Sequence, residues 1–376
     1  MKQYIYADNA ATTQMDPDAL NSMLPYLSLE YGNASQPYSF SRQPRKAVQE
    51  ARNIIASCIG AFPEEVFFTS GGTESDNWVI KGMALSNVKK GTIITSAFEH
   101  HAILHSCVAV ERLRYPVIYL QPDQGGQIMP QILMDSINCN PYLVSVMLAN
   151  NEIGSIQPIE ELSKIAHSHN ALFHADAVQA VGHIPINVKS LDVDMLSASA
   201  HKFNGPKGIG FLYVRKGVEI FPYIDGGAQE YGMRAGTENI ASIVGMAVAL
   251  KKNNDNIYKN MEKVKNLENH LLYGLRNIGV TFIRNGGDKT LPGLVSLSFE
   301  GYEGEAILHR LDLMGIGIST GSACNGRNTE VSHVLKAIGI RDSLVKGTVR
   351  ISLGKNNTHD DVEAIVKGLN KILHEI

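Results

Sequence analysis

Residues 197–210 read SASAHKFNGPKGIG, and this stretch decides the fold. The run before Ala200, VDMLSAS (193–199), alternates apolar with small residues and predicts a strand. IGFLYV (209–214) predicts another. Between them lie His201, Lys202 and a Gly/Pro-rich turn. A lysine is ordinarily a solvated surface charge. One held at a strand end among small residues is partly desolvated, which lowers its pKa and frees its amine to attack a carbonyl.

Working outward, strand and helix patterns alternate. EVFFTS (65–70), GTIITSA (91–97), YLVSVMLA (142–149) and ALFHAD (171–176) predict strands. Amphipathic stretches near 16–29 and 42–60, after Gly72, from about 100 to 113, and after Pro158 predict helices. The alternation argues for an α/β fold with a mainly parallel sheet, where ligands gather at the carboxyl ends of the strands. Residues 247–275 predict a long helical stretch, bent or interrupted at the Asn-rich NNDN, with a solvated charged face. Strands near 293–299 and 347–353, a helix near 304–314 and a final helix suggest a smaller α+β lobe. The expected division is a large domain over 16–255 and a small domain made of 1–15 and 256–376.

Composition narrows the function. Of 376 residues, 44% are hydrophobic and 19% charged, and the net charge of −3 implies no broad basic surface for nucleic acid or anionic membrane. The opening MKQYIY meets Asp8 too soon for a signal or a membrane span. Cys58, Cys107, Cys139 and Cys324 form no CxxC pair, so a reducing, cytoplasmic setting is expected and no metal site is read.

Three further segments carry chemistry. SGGTES (70–75) lies between a strand and a helix, where backbone N–H groups and Thr73 would cradle an anion such as phosphate; the plain alternative is a βα turn with a threonine cap. It lacks the GK[ST] of a P-loop, and GPKGIG lacks GxGxxG spacing, so a nucleotide fold is disfavoured. Asp176 ends the strand ALFHAD; a buried carboxylate there needs a cationic partner, unless it only caps the next helix. Cys324 sits among small polar residues in STGSACNGR, unlike a cysteine packed in a core.

Taken together, YADNAATT, YGN, FTSGGTESDN, EHHA, ANNEIG, HADAVQAVG, SASAHKFNGPKGIG, GGAQEYGMRAGTEN, STGSAC and VRISLG, in this order, resemble the cysteine desulfurases of the NifS/IscS type within the class-V aminotransferases. The resemblance spans nearly the whole chain. It implies pyridoxal 5'-phosphate enzymes of fold type I, acting as homodimers that pass sulfur from L-cysteine to acceptor or scaffold proteins, in iron–sulfur cluster assembly, tRNA thiolation or related trafficking.

By this resemblance Lys202 would hold the cofactor as a Schiff base and then shuttle a proton. Asp176 would pair with the pyridinium nitrogen, Gln179 would reach the phenolic oxygen, and His100 would stack on the ring and assist proton transfer as a third catalytic residue beside Lys202 and Cys324; the bland reading of His100 is a helix-start residue. Gly72, Thr73, Ser199 and His201 would hold the phosphate, joined by Thr237 of a neighbouring subunit. Asn151 and Arg350 would face the substrate, with Arg350 taking its carboxylate. Asn33 would join them, or else form a turn. Cys324 would accept the sulfur as a persulfide, its small neighbours allowing it to move. The segments 34–38 and 326–331 depart from the usual pattern, which leaves open the acceptor that docks there. The rivals are a selenocysteine lyase, an aminotransferase of the same fold, which needs no Cys324, and a non-catalytic sulfur-transfer scaffold.

Overall fold

The computed structural model describes residues 4–86, 91–320 and 332–374. The strands β1 (Ile5–Tyr6), β2 (Val66–Thr69), β3 (Thr92–Ser96), β4 (Val117–Leu120), β5 (Pro141–Ser145), β6 (Leu172–Asp176), β7 (Met195–Ser199) and β8 (Gly210–Val214) run through the first two thirds of the chain. Seven of them form one sheet in the order β2-β8-β7-β6-β5-β3-β4. The expected parallel sheet is there with one inversion: β8 runs antiparallel to both its neighbours. The other strand pairs in the sheet are parallel, so β2, β6 and β7 deliver their carboxyl ends to one edge.

The strands are buried on both faces, which is why they read as apolar runs. The pleat sends alternate side chains to opposite cores. Ile94, Val144, Phe173, Leu196 and Phe211 pack into one cluster. Ile93, Leu143, Met195 and Leu212 pack into another, with Trp78 of the helix Gly72–Ser86. Helix ends follow local chemistry. Asp16 caps Pro17–Ser28 by accepting from Asp18 N–H, and Gly60, at φ 73°, ends Arg42–Ile59 in the left-handed region that favours glycine.

The long helix predicted over 247–275 is two helices, Ile240–Asp255 and Ile257–Asn277, broken at Asn256 inside the Asn-rich run. Beyond it, β9 (Ile283–Asn285), β10 (Leu294–Ser298), β11 (Ile316–Gly317), β12 (Ser319–Thr320) and β13 (Thr348–Ser352) complete the strands. An antiparallel sheet runs β12-β13-β10-β9, and β1 pairs in parallel with β11. A third apolar cluster joins Ala7 to Leu271, Leu297, Val349 and Leu369, under the final helix His359–His374. Val334, Leu335, Ile338 and Val345 pack instead into the first cluster.

Candidate active site

Strand ends place the polar residues. After β7 a tight turn, Ala200–Lys202, lifts Lys202 over the sheet edge. Its Nζ donates to the carbonyls of Ala10 (2.6 Å) and Ala11 (2.9 Å). Asp176, the last residue of β6, is 4% exposed and accepts from Val178 N–H at 2.9 Å. Burial pushes its carboxyl up to about 6, against the pull of the Val178 hydrogen bond and the Lys202 charge. Gln179 Nε2 donates to the same Ala10 carbonyl, at 2.9 Å.

Beside them the helix Gly72–Ser86 begins. Its first backbone N–H groups lack acceptors one turn earlier and face an incoming anion. Glycine is needed here for close approach. A Cβ on Gly72 would collide with Val178 Cγ2, and one on Gly210 would collide with the Ala198 carbonyl and the Gly71 backbone. Ser199 and His201 close that corner, with His201 Nδ1 3.1 Å from Thr12 Oγ1. Burial and the adjacent Lys202 lower His201 to about 4.

His100 starts a helix and also lines the cavity. Its Nδ1 caps the helix His101–Arg112 by accepting from Ala102 N–H at 3.1 Å, and the ring lines the cavity. Burial, then Lys202, holds it neutral, at about 4.

From the other side, Arg350 of β13 donates from Nη2 to Asp8 Oδ1 (2.7 Å) and from Nη1 to the Asn151 carbonyl (2.8 Å). These groups surround a cavity of about 380 Å³, lined by Gly72, Thr73, His100, Asn151, Asp176, Gln179, Ser199, His201, Lys202 and Arg350 among others. Asn33 and Thr237 do not line it. Asn33 Oδ1 accepts from Ser35 N–H at 2.9 Å, which is its turn-forming role, and Thr237 is exposed. Cys324 lies outside the described residues.

Sequence reasoning missed a layer beneath Asp176. Asp76, one turn into the helix, lines the cavity and is 1% exposed. Burial and the Asp176 charge hold its carboxyl well above the usual range. His174 lies on the same face of β6 as Asp176, with Nδ1 2.8 Å from Ser145 Oγ and Nε2 3.0 Å from Ser197 Oγ. Glu99 accepts from Ser96 Oγ (2.5 Å) and Met147 N–H (2.9 Å), and burial pushes it up to about 8. The alternation of polar with apolar residues in HADAVQ was the available signal for His174.

The donor set fits a phosphorylated pyridine aldehyde: an amine, a buried acid for a ring nitrogen, a neutral imidazole, and a helix start with hydroxyls for a phosphate. The cavity has the volume such ligands require. Among the described residues no group of three or more His, Cys, Asp or Glu is arranged to hold a metal ion.

Comparison with known proteins agrees. The class-V aminotransferase family profile matches residues 5–365. A cysteine desulfurase IscS of Methanosarcina thermophila is 44% identical over 99% of this chain and 92% of its own. A solved NifS-like protein superposes with a TM-score of 0.94 at 37% identity, covering 100% of both chains. A solved SspA in complex with cysteine gives a TM-score of 0.85 at 36% identity, over 94% of this chain and 100% of that one. The chain belongs to the class-V aminotransferase family, in its cysteine desulfurase branch.

Proposed function

We propose that this protein binds pyridoxal 5'-phosphate and uses it to take sulfur from L-cysteine, releasing L-alanine and loading the sulfur on Cys324. The observation that carries this is the convergence of the Lys202 amine, the buried Asp176 carboxyl, the Gly72 helix start and the Arg350 guanidinium on one cavity. When bound, the cofactor supplies an aldehyde for an amine and a ring that withdraws electrons from the substrate's α-carbon.

The chain's own residues do the rest. Asp176 would hold the ring nitrogen of the bound cofactor by supplying a negative charge to it. Its ionised form, disfavoured by burial, is restored by a cation placed against it. Thr73, Ser199 and His201 orient the phosphate, with neutral His201 offering a hydrogen bond and not a charge. Arg350 orients the substrate carboxylate. The Lys202 Nζ takes the α-proton and returns a proton to carbon, and neutral His100 shields the face from water. At Cys324 the thiolate forms an S–S bond to the substrate sulfur. The C–S bond breaks with its electron pair going to carbon, and that carbon is protonated to give alanine.

Part of this reading is a homodimer in which the exposed Thr237 serves the partner subunit's site. Cytoplasmic delivery to acceptor or scaffold proteins, as in iron–sulfur cluster assembly, completes it. We keep the division into 16–255 and 1–15 plus 256–376; the apolar cluster that joins Ala7 to residues 264–373 supports it, while Ala10, Leu291, Leu294 and Val334 to Val345 pack across it into the large core. No described helix is long and apolar enough to cross a membrane. The test is Cys324→Ser. The variant is expected to keep its cofactor absorbance and to lose sulfide release from L-cysteine in the presence of a thiol reductant. Normal turnover by it would refute the role of Cys324.

A further inference from the structure

The guanidinium assigned to the substrate already holds a carboxylate. Arg350 is 4% exposed, and its Nη2 lies 2.7 Å from Asp8 Oδ1, a side chain that is 19% exposed and lines the same cavity. A buried guanidinium without a counter-charge is costly, and Asp8 supplies that charge. The arrangement is built and not incidental. Asp8 bridges to Ser352 on β13 in parallel register, and Ala10 N–H donates to Ser352 Oγ at 2.9 Å. These contacts fix the backbone of Asp8 beside Arg350. Among the described residues Arg350 Nε has no acceptor, and the Nη2 that a ligand in the cavity would reach is the one Asp8 holds.

We propose that Asp8 is a specificity-determining residue, an internal carboxylate that competes with the substrate carboxylate for Arg350 and is displaced when substrate binds. This rests on the reading of Arg350 as the carboxylate site. Binding is then an exchange of one carboxylate for another. The exchange weakens capture of every carboxylate equally, and it excludes small inorganic anions that would otherwise settle on a bare guanidinium. Two carboxylates on one buried guanidinium would repel each other at close range, which is why the incoming one displaces Asp8.

The experiment uses the cofactor-loaded protein, with propionate as an unreactive carboxylate. Asp8→Asn keeps the shape and removes the charge. It is expected to tighten propionate inhibition about tenfold, to lower the KM for L-cysteine by a similar factor, and to make the enzyme sensitive to chloride at about 0.1 M. A merely structural role predicts the opposite sign: weaker propionate binding and a higher KM would overturn the proposal, and so would no change. Arg350→Gln separates the two readings. If its propionate inhibition equals that of the wild type, the carboxylate site has been misassigned, and the role of Asp8 falls with it. Should Asp8→Asn fail to fold, crystals of the unaltered protein soaked in propionate decide the matter. Asp8 is expected to have left hydrogen-bond range of Arg350; an intact pair beside bound propionate refutes the exchange.

Discussion

The two walls of the cavity are built differently. The cofactor wall comes from strand ends on one edge of one sheet: β2 leads into Gly72, β6 ends at Asp176 and β7 at Ser199. Its side chains are fixed by backbone geometry that the sheet already imposes. The substrate wall is assembled from Asp8 and Arg350, which are 342 positions apart in the chain and joined by one ion pair. The first wall is preorganised by topology. The second depends on a charge pair that can be exchanged. A site can therefore hold its cofactor rigidly while leaving its substrate recognition open to competition.

That contrast can be broken, beginning with the largest effect. Lys202→Ala removes the proton carrier from the cofactor wall, so desulfuration should fall by at least about 10³-fold, the usual worth of a positioned acid–base group. The cofactor should also wash out on dialysis, measured by absorbance. Retained activity would move the chemistry to another residue.

Gly72→Ala asks how rigid the wall is. The new methyl group has no room beside Val178 Cγ2, and overpacking of this kind costs about 1–3 kcal/mol. Cofactor affinity, titrated by fluorescence, should weaken about tenfold, while propionate inhibition moves less. Equal changes in both would mean that the walls are one unit.

A further effect, on stability and not on the site, concerns the acid layer behind the wall. Glu99 is raised to about 8 when folded, so the folded chain binds a proton that the unfolded chain has released. That contribution is complete below the ordinary glutamate pKa of about 4.3 and is lost as pH rises toward 8. Neutral His100 and His201, at about 4, act in the opposite direction, but only below about pH 6.5, the ordinary histidine value. Between pH 6.5 and 8 the apo-protein should therefore lose about 2 kcal/mol from Glu99, read as a fall in Tm of several degrees. Glu99→Gln should flatten that slope. An unchanged slope would assign it to the other raised acids, Asp76 and Glu152, the latter pushed by burial to about 7.

Legibility in the sequence followed the same division. The residues of the cofactor wall sit at ends of apolar runs, so Lys202, Asp176 and Ser199 stand out where a predicted strand stops. The break at Asn256 could be read because asparagine competes with the helix backbone. The substrate wall had no such local signal. Arg350 lies inside a strand and Asp8 in a short opening segment, and only tertiary pairing brings them together. The resemblance named Arg350 and not Asp8. Asp76 was hidden for a related reason: an acid on a helix face reads as solvated until the sheet is packed over it. The edge strand Val117–Leu120 lay outside the predicted elements because it is only four residues long, mostly half-buried, and preceded by Pro116. The two-residue strands β1 and β11 form only by pairing with each other across the chain.

That last pairing sets an order of events. Residues 5–11 are made long before their partners: Ile5 and Tyr6 pair with Ile316 and Gly317, and Ala10 with Ser352. The carbonyls that receive the Lys202 amine belong to this same segment. On a ribosome Ala10 must wait for Ser352, 342 positions further along the chain. The seven-stranded sheet needs none of that and can form earlier. The segment that receives the Lys202 amine is thus fastened to β13 late, and a chain interrupted before that strand carries a complete sheet edge without this anchor.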